Sequence, residues 1–216
     1  MSGLSMEFWH NRWETEQIGW HRSEFNDMLL KHWASLGLEA ETEVLVPLCG
    51  KSLDMVWLAQ KGHRIVGLEL VDKAVQSFFE EAGMTPEKDV MGGHQRYVCP
   101  PFTLIQGDLF ALEEHTVQAD AWYDRAAMIA LPANMRDAYV QQLRQQTKAG
   151  AVGLLITYAY PQHEMEGPPF ALHDEDVKRF FSDGFEVEHL EGIELEDERE
   201  RGLSSITLSV FKITRI

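Results

Sequence analysis

Basic residues are scarce in this chain. Its 216 residues include 19 Lys and Arg against 35 Asp and Glu, a formal net charge of −16 at pH 7. Proteins that hold polynucleotides electrostatically place Lys and Arg on phosphates, so nucleic acid is not an expected partner. One or two arginines can still hold a small anion. Cysteine is nearly absent. Cys49 and Cys99 form neither a disulfide framework nor a zinc-ligand spacing, and a reducing cytoplasm is the expected compartment. Long apolar runs are missing too. The most apolar stretch, Ala151 to Tyr160, is about ten residues, against roughly 20 for a helix that crosses a bilayer, so no membrane is expected. The N-terminus mixes Glu7, His10, Arg12 and Glu14 with its aromatics, unlike a secretory signal. There is no internal repeat and no low-complexity tract.

What is present suits one domain over residues 1–216: the length is right, and a hydrophobic content of 44% supports a sizeable core. Phe25, Met28, Leu29, Trp33 and Leu36 fall at helical spacing, with Gly37 as the stop. Val44 to Cys49 reads as a buried strand. Ser52 caps a helix closed by Gly62, and Arg64 to Glu69 is a second strand. Asp72 caps a helix ended by Gly83. Met84 to Pro101 is polar and rich in Gly and Pro, and reads mostly as loop. Short strands follow at 102–106 and 120–124, then a helix at 132–146 and a strand at 151–157. A helix at 174–183 precedes strands at 185–190 and 204–213, the last alternating apolar Ile206, Leu208 and Val210 with polar neighbours. Strands that alternate with helices predict an α/β fold, a mostly parallel doubly wound sheet, here with a C-terminal antiparallel hairpin. Ligands of such sheets sit at the carboxyl ends of the strands.

The first strand end reads Pro47-Leu48-Cys49-Gly50-Lys51-Ser52. Gly50 permits a sharp turn and close approach of a ligand, or a tight turn with none. A phosphate loop would need another glycine five positions earlier, where Leu45 stands. The second strand ends at Glu69, nineteen residues after Gly50, near the spacing at which an acidic residue takes ribose hydroxyls. The competing reading is a surface glutamate. The GxGxxG fingerprint is absent, which disfavours a dinucleotide diphosphate and a nicotinamide oxidoreductase. A nucleoside without phosphates fits better, and S-adenosylmethionine is such a ligand. At the third strand end Gly107, Asp108, Leu109 and Phe110 could hold an adenine. At the fourth, Arg125 could pair with the cofactor's carboxylate or an anionic acceptor, or else with Asp124 or Asp108. Trp9 and Trp13, four apart on one helix face, and Trp20 form either a packed helix or an aromatic lid.

Five segments carry a resemblance: Phe8-Trp9-His10-Asn11-Arg12-Trp13, Val46 to Asp54, Gly67-Leu68-Glu69-Leu70, Tyr123-Asp124-Arg125-Ala126-Ala127 and Glu166-Gly167-Pro168-Pro169-Phe170. In that order the chain resembles the thiopurine S-methyltransferases of bacteria and vertebrates. The resemblance implies a class I, Rossmann-like methyltransferase fold, with residues 1–40 as a helical lid segment and 41–216 as the α/β core. It implies S-adenosylmethionine as cofactor, bound by Trp9, Trp13, Leu48, Gly50, Glu69, Asp108, Leu109 and Arg125. It places Trp20, Arg125 and either Arg199 or Arg201 on the acceptor side. It departs from most methyltransferases at Pro47 and Lys51-Ser52, where an acidic residue and several glycines are usual.

The implied reaction moves a methyl group in line from the sulfonium to the sulfur of an aromatic or heterocyclic thiol, with Arg125 stabilising the anion and no metal. A monomer is implied. Oxyanions of selenium or tellurium are alternative acceptors, and a non-catalytic nucleoside-binding protein is the alternative outside enzymes. Cys49 has no adjacent base and is not read as a nucleophile. His21 is the histidine to test.

Overall fold

A computed structural model describes residues 5–196 and 202–216. Nine strands form one sheet: β1 Glu43–Pro47, β2 Arg64–Glu69, β3 Glu87–Met91, β4 His94–Cys99, β5 Phe102–Gln106, β6 Ala119–Asp124, β7 Thr147–Ala159, β8 Phe185–Glu194 and β9 Thr207–Arg215. Their spatial order is β3-β4-β5-β2-β1-β6-β7-β9-β8. The five central strands run parallel, and each flank is antiparallel. The helices are α1 Met6–Glu14, α2 Asp27–His32, α3 Leu53–Gln60, α4 Asp72–Glu81, α5 Ala133–Gln146 and α6 Asp174–Phe180. The expected mixed sheet with a C-terminal antiparallel hairpin is present.

Strand β1 shows why both faces need helices. Val44 and Val46 point into one apolar cluster with Leu29 and Trp33, Met55 and Leu58, and Val75, Phe78 and Phe79. Leu45 points into the other, with Tyr139 and Leu143 of α5 and Val177 and Phe180 of α6. A strand buried on both faces reads as an unbroken apolar run, not as an alternation. The chain leaves β1 for β2 on one side, and β6 lies on the other. The switch point, where a cleft opens in such sheets, therefore lies at the ends of β1 and β6.

Two expectations change. Residues 84–101 are not mostly loop: they hold β3 and β4, joined through Gly92 and Gly93 at φ of 56° and 81°. Two left-handed residues are what a tight hairpin turn demands. Glu87 to Val90 are all exposed, so this edge strand has no apolar face to reveal it. Its Asp89 is paired with Arg96 across the hairpin at 2.5 Å. Asp72 is not the cap of α4 either. Val71 holds that position without a side-chain bond, and Asp72 accepts instead from the Tyr97 hydroxyl and Gln76. Ser52 does cap α3, its hydroxyl accepting from the Asp54 N–H. Strands β7 and β8 run longer than expected, and β9 ends at Arg215. No described helix is long and apolar enough to cross a membrane.

Candidate active site

The cleft at the switch point is lined by the Pro47–Ser52 loop, Tyr123, Arg125, Ala126 and Ala127, and by Trp13, Trp20 and His21 from the N-terminal segment. The loop is bent by two left-handed residues, Leu48 at φ 46° and Gly50 at φ 53°. Leucine seldom adopts this conformation, and such strain collects at ligand clamps. A Cβ on Gly50 would lie 3.2 Å from the Trp13 ring. The glycine thus lets the N-terminal helix sit directly on the loop. Beneath it, a Cβ on Gly67 would meet Cys49 Sγ at 2.7 Å, so glycine is needed in β2 as well.

Glu69 is buried, 6% exposed. Its Oε2 accepts from the Gly50 N–H and its Oε1 from the Val71 N–H, both at 2.8 Å. The carboxylate braces the very loop that forms the cleft. Burial pushes its pKa up, and the backbone donors of Val71, Gly50 and Leu70 oppose this. A carboxylate offers about four lone-pair directions, so these backbone donors do not use all of them. Burial, and then the charge of Glu69, also push the Cys49 thiol well up. A thiol kept neutral is a poor nucleophile, in line with the sequence reading.

Arg125 lies at the end of β6 with its side chain 15% exposed. It pairs with neither Asp124 nor Asp108. Its Nη1 donates to the Trp20 carbonyl at 2.9 Å, and its Nε stands 3.7 Å from Asp54 Oδ2. Asp124 is turned away into the core, where it accepts from Ala127, Met128 and the Tyr139 hydroxyl. His21 shares the cleft. Burial lowers its pKa, as do Lys51 and Arg125, while Glu81 raises it.

Trp9, Trp13 and Trp20 meet edge to face, with centroids 5.5 Å (Trp9–Trp20) and 6.3 Å (Trp13–Trp20) apart. They pack on Val71 and Ala74 at the start of α4. Trp13 is buried, and Trp9 and Trp20 are half-buried. Asp108 is half-buried and caps the turn that follows it, accepting from the Phe110 N–H at 2.9 Å. The Leu109 side chain is 2% exposed and belongs to the core beneath α5, not to the cleft wall. Arg199 and Arg201 lie outside the described residues. Sequence reasoning missed Asp54, Tyr123 and Asn26. The Tyr123 hydroxyl and the Asn26 N–H both donate to the Asp54 carboxylate, at 2.9 and 2.8 Å.

The residues present fit S-adenosylmethionine. A buried carboxylate, Glu69, braces the turn at the cleft from behind, and the turn lacks the glycines a diphosphate needs. A cation and aromatic rings share the adjoining cleft. Among the described residues no group of three or more acidic, His or Cys side chains could hold a metal.

Solved structures share this architecture at low identity. An S-adenosylmethionine-dependent methyltransferase from Methanosarcina mazei superposes with a TM-score of 0.65 at 16% identity, covering 89% of this chain and 99% of that one. The 1,6-didemethyltoxoflavin-N1-methyltransferase of Burkholderia thailandensis, solved with S-adenosylhomocysteine, gives 0.67 at 11%, covering 97% and 86%. These fix the fold as that of the class I methyltransferases. Sequence comparison is more specific. A thiopurine S-methyltransferase from Pseudomonas aeruginosa is 45% identical over 98% of this chain and all of its own length. One from Shewanella pealeana is 43% identical over 98% and 99%. The profile of the thiopurine S-methyltransferases matches residues 4–215. With end-to-end coverage and identity of this order, the chain belongs to the thiopurine S-methyltransferase family.

Proposed function

We propose that the chain transfers the methyl group of S-adenosylmethionine to the sulfur of aromatic and heterocyclic thiols, thiopurines among them. When bound, the cofactor supplies a methyl group activated by a sulfonium. Glu69 accepts from the ribose hydroxyls while its other lone pairs keep the Gly50 turn in shape. Leu48 and Gly50 give the cofactor a backbone surface to lie on. Asp108 keeps one oxygen for the adenine side, and Leu109 contributes its backbone there. Trp9, Trp13 and Trp20 form a lid that excludes water, in the first part of a helical segment of residues 1–40 whose Leu29 and Trp33 are anchored in the core, and 41–216 is the single-domain α/β core.

Arg125 presents its remaining N–H groups to the acceptor. A guanidinium beside a thiol favours the thiolate, and thiopurine-type thiols already ionise readily. No strong base is then needed. Positioning of the two partners supplies most of the rate, about 7–11 kcal/mol in well-aligned cases. Two free cysteines suit a reducing cytoplasm.

The observation that carries this reading is that Arg125 and the tryptophans converge on the Gly50 turn, which Glu69 braces. Calorimetry with S-adenosylmethionine, S-adenosylhomocysteine and NADH, followed by methyl transfer to thiophenol and a thiopurine, tests it. Binding of the first two ligands with turnover of a thiol is expected. Binding of NADH alone, or cofactor binding without transfer to any thiol, overturns it.

A further inference from the structure

One buried carboxylate joins the two halves of the cleft. Asp54 is 1% exposed, in the first turn of α3. Its Oδ1 accepts from the Asn26 N–H at 2.8 Å, and Asn26 in turn caps α2. Its Oδ2 accepts from the Tyr123 hydroxyl at 2.9 Å and faces Arg125 Nε at 3.7 Å. Arg125 closes the circuit by donating to the Trp20 carbonyl. The strap from Trp20 to Asn26 is therefore held at both ends, by Arg125 at one and Asp54 at the other. Burying a charge is costly unless it is paired and hydrogen-bonded. Here two donors and one cation satisfy it: Tyr123 and Arg125 from the end of β6, and Asn26 from the strap that leads into α2.

We propose that Asp54 is a positioning residue: it orients the Arg125 guanidinium and fixes the Trp20–Asn26 strap, so that seating the aromatic cover and presenting the arginine are one coupled event. This rests on the methyltransferase reading and on Arg125 facing the acceptor. Arg125 has five N–H donors, and among the described residues only the Trp20 carbonyl accepts from it. A shift of the strap frees the guanidinium to swing. A shift of the guanidinium releases the strap. Asp54 limits both movements without touching the acceptor.

The test is a double-mutant cycle of Asp54→Asn with Arg125→Lys. Asparagine keeps an oxygen for the Asn26 N–H and removes the charge that faces Arg125. Residues that act as one unit give non-additive effects. Asp54→Asn is expected to lower kcat/KM toward thiophenol at least about tenfold and to leave S-adenosylhomocysteine affinity within about threefold. It should have almost no further effect in the Arg125→Lys background. Additive losses, or a loss confined to cofactor affinity, overturn the proposal. A second reading needs no activity. Hydrogen exchange of peptides over 20–26 in the free protein should speed up in Asp54→Asn, while peptides from α1 change less. Unchanged exchange over 20–26 also overturns it. If Asp54→Asn does not fold, Tyr123→Phe takes its place in the cycle, because it removes a donor that fixes the same carboxylate. A severalfold loss that vanishes in Arg125→Lys is then expected. An inactive wild-type protein would instead sink the methyltransferase reading, and the exchange experiment would still decide the role of Asp54.

Discussion

Glu69 and Asp124 are near twins. Each ends a parallel strand, β2 and β6, and these strands flank β1 on either side. Each is buried, 6% and 2% exposed, and burial pushes each carboxyl up, that of Asp124 to about 6. The difference lies in what is already spent. Asp124 takes two backbone N–H groups and a tyrosine hydroxyl and faces the core under α5. Glu69 takes two backbone N–H groups and stands behind the Gly50 turn. Position at a strand end does not make a carboxylate a binding group. The ribose role proposed for Glu69 needs lone pairs that Asp124 has already given to the core.

The largest expected effect breaks the pair apart by stability. Asp124→Ala leaves three buried donors without a partner, at about 1–3 kcal/mol each. A loss of about 3 kcal/mol or more in urea unfolding is expected, with S-adenosylhomocysteine affinity of the folded fraction unchanged. The pH dependence has a definite sign. The folded carboxyl near 6 lies above its ordinary 3.8, so between these values the folded chain binds more protons than the unfolded one. Its contribution is full below about pH 4 and is lost as pH rises through about 6, by at most roughly 3 kcal/mol. Asp124→Asn should remove that part of the slope, read as the difference from wild type. An equal slope in both proteins would contradict the raised value.

The next effect falls on binding. Glu69→Ala is expected to weaken S-adenosylmethionine by about 1.5–3 kcal/mol, the range for hydrogen bonds to a charged group. It should cost less stability than Asp124→Ala, since it strands two donors at the edge of a cleft. Wild-type affinity by calorimetry would take Glu69 out of the site and make the two carboxylates alike.

Arg125→Lys comes third. Lysine cannot reproduce a planar fork held between a carbonyl and a carboxylate. Catalytic efficiency toward thiophenol should fall at least about tenfold, or about 1.4 kcal/mol, with a near-normal melting temperature. The reverse pattern, lost stability with retained activity per folded molecule, would make Arg125 a brace like Asp124.

How much of this the sequence disclosed follows from how local each cause is. The central strands and the helices against them are apolar runs and stripes, so Val44–Val46 and the Phe78–Phe79 helix could be read directly. The β3–β4 hairpin has no apolar face, and only Gly92-Gly93 marks it. Gly50, Glu69 and Arg125 drew attention in the sequence because they stand at or just after strand ends. The partner of Arg125 was not. Asp54 is joined to Asn26 and Tyr123 across 28 and 69 residues, and the Trp20 group that meets Arg125 is a backbone carbonyl, which carries no residue type at all. Leu109 shows the opposite failure. It stands in the matching segment, yet its side chain faces the core because the turn capped by Asp108 directs it there.

The smallest expected effect sharpens the comparison most. Ribose hydroxyls donate more strongly to an ionised Glu69 than to a protonated one, so bound ligand favours the charged form and lowers the carboxyl's pKa. By linkage, binding then releases protons, and affinity rises as pH climbs through the raised value of free Glu69 before becoming flat. Asp124 is turned into the core, where its oxygens are taken by Ala127, Met128 and Tyr139, so its protonation is expected to alter folding and leave affinity unchanged. Calorimetry of S-adenosylhomocysteine as pH is raised from the ordinary carboxyl range upward should show tighter binding at the upper end by less than about tenfold. The same titration in buffers of different ionisation enthalpy should show proton release at the lower end. Glu69→Gln should abolish both signals, and Asp124→Asn should retain both. If the slope survives in Glu69→Gln or vanishes in Asp124→Asn, the roles assigned to the two carboxylates are reversed.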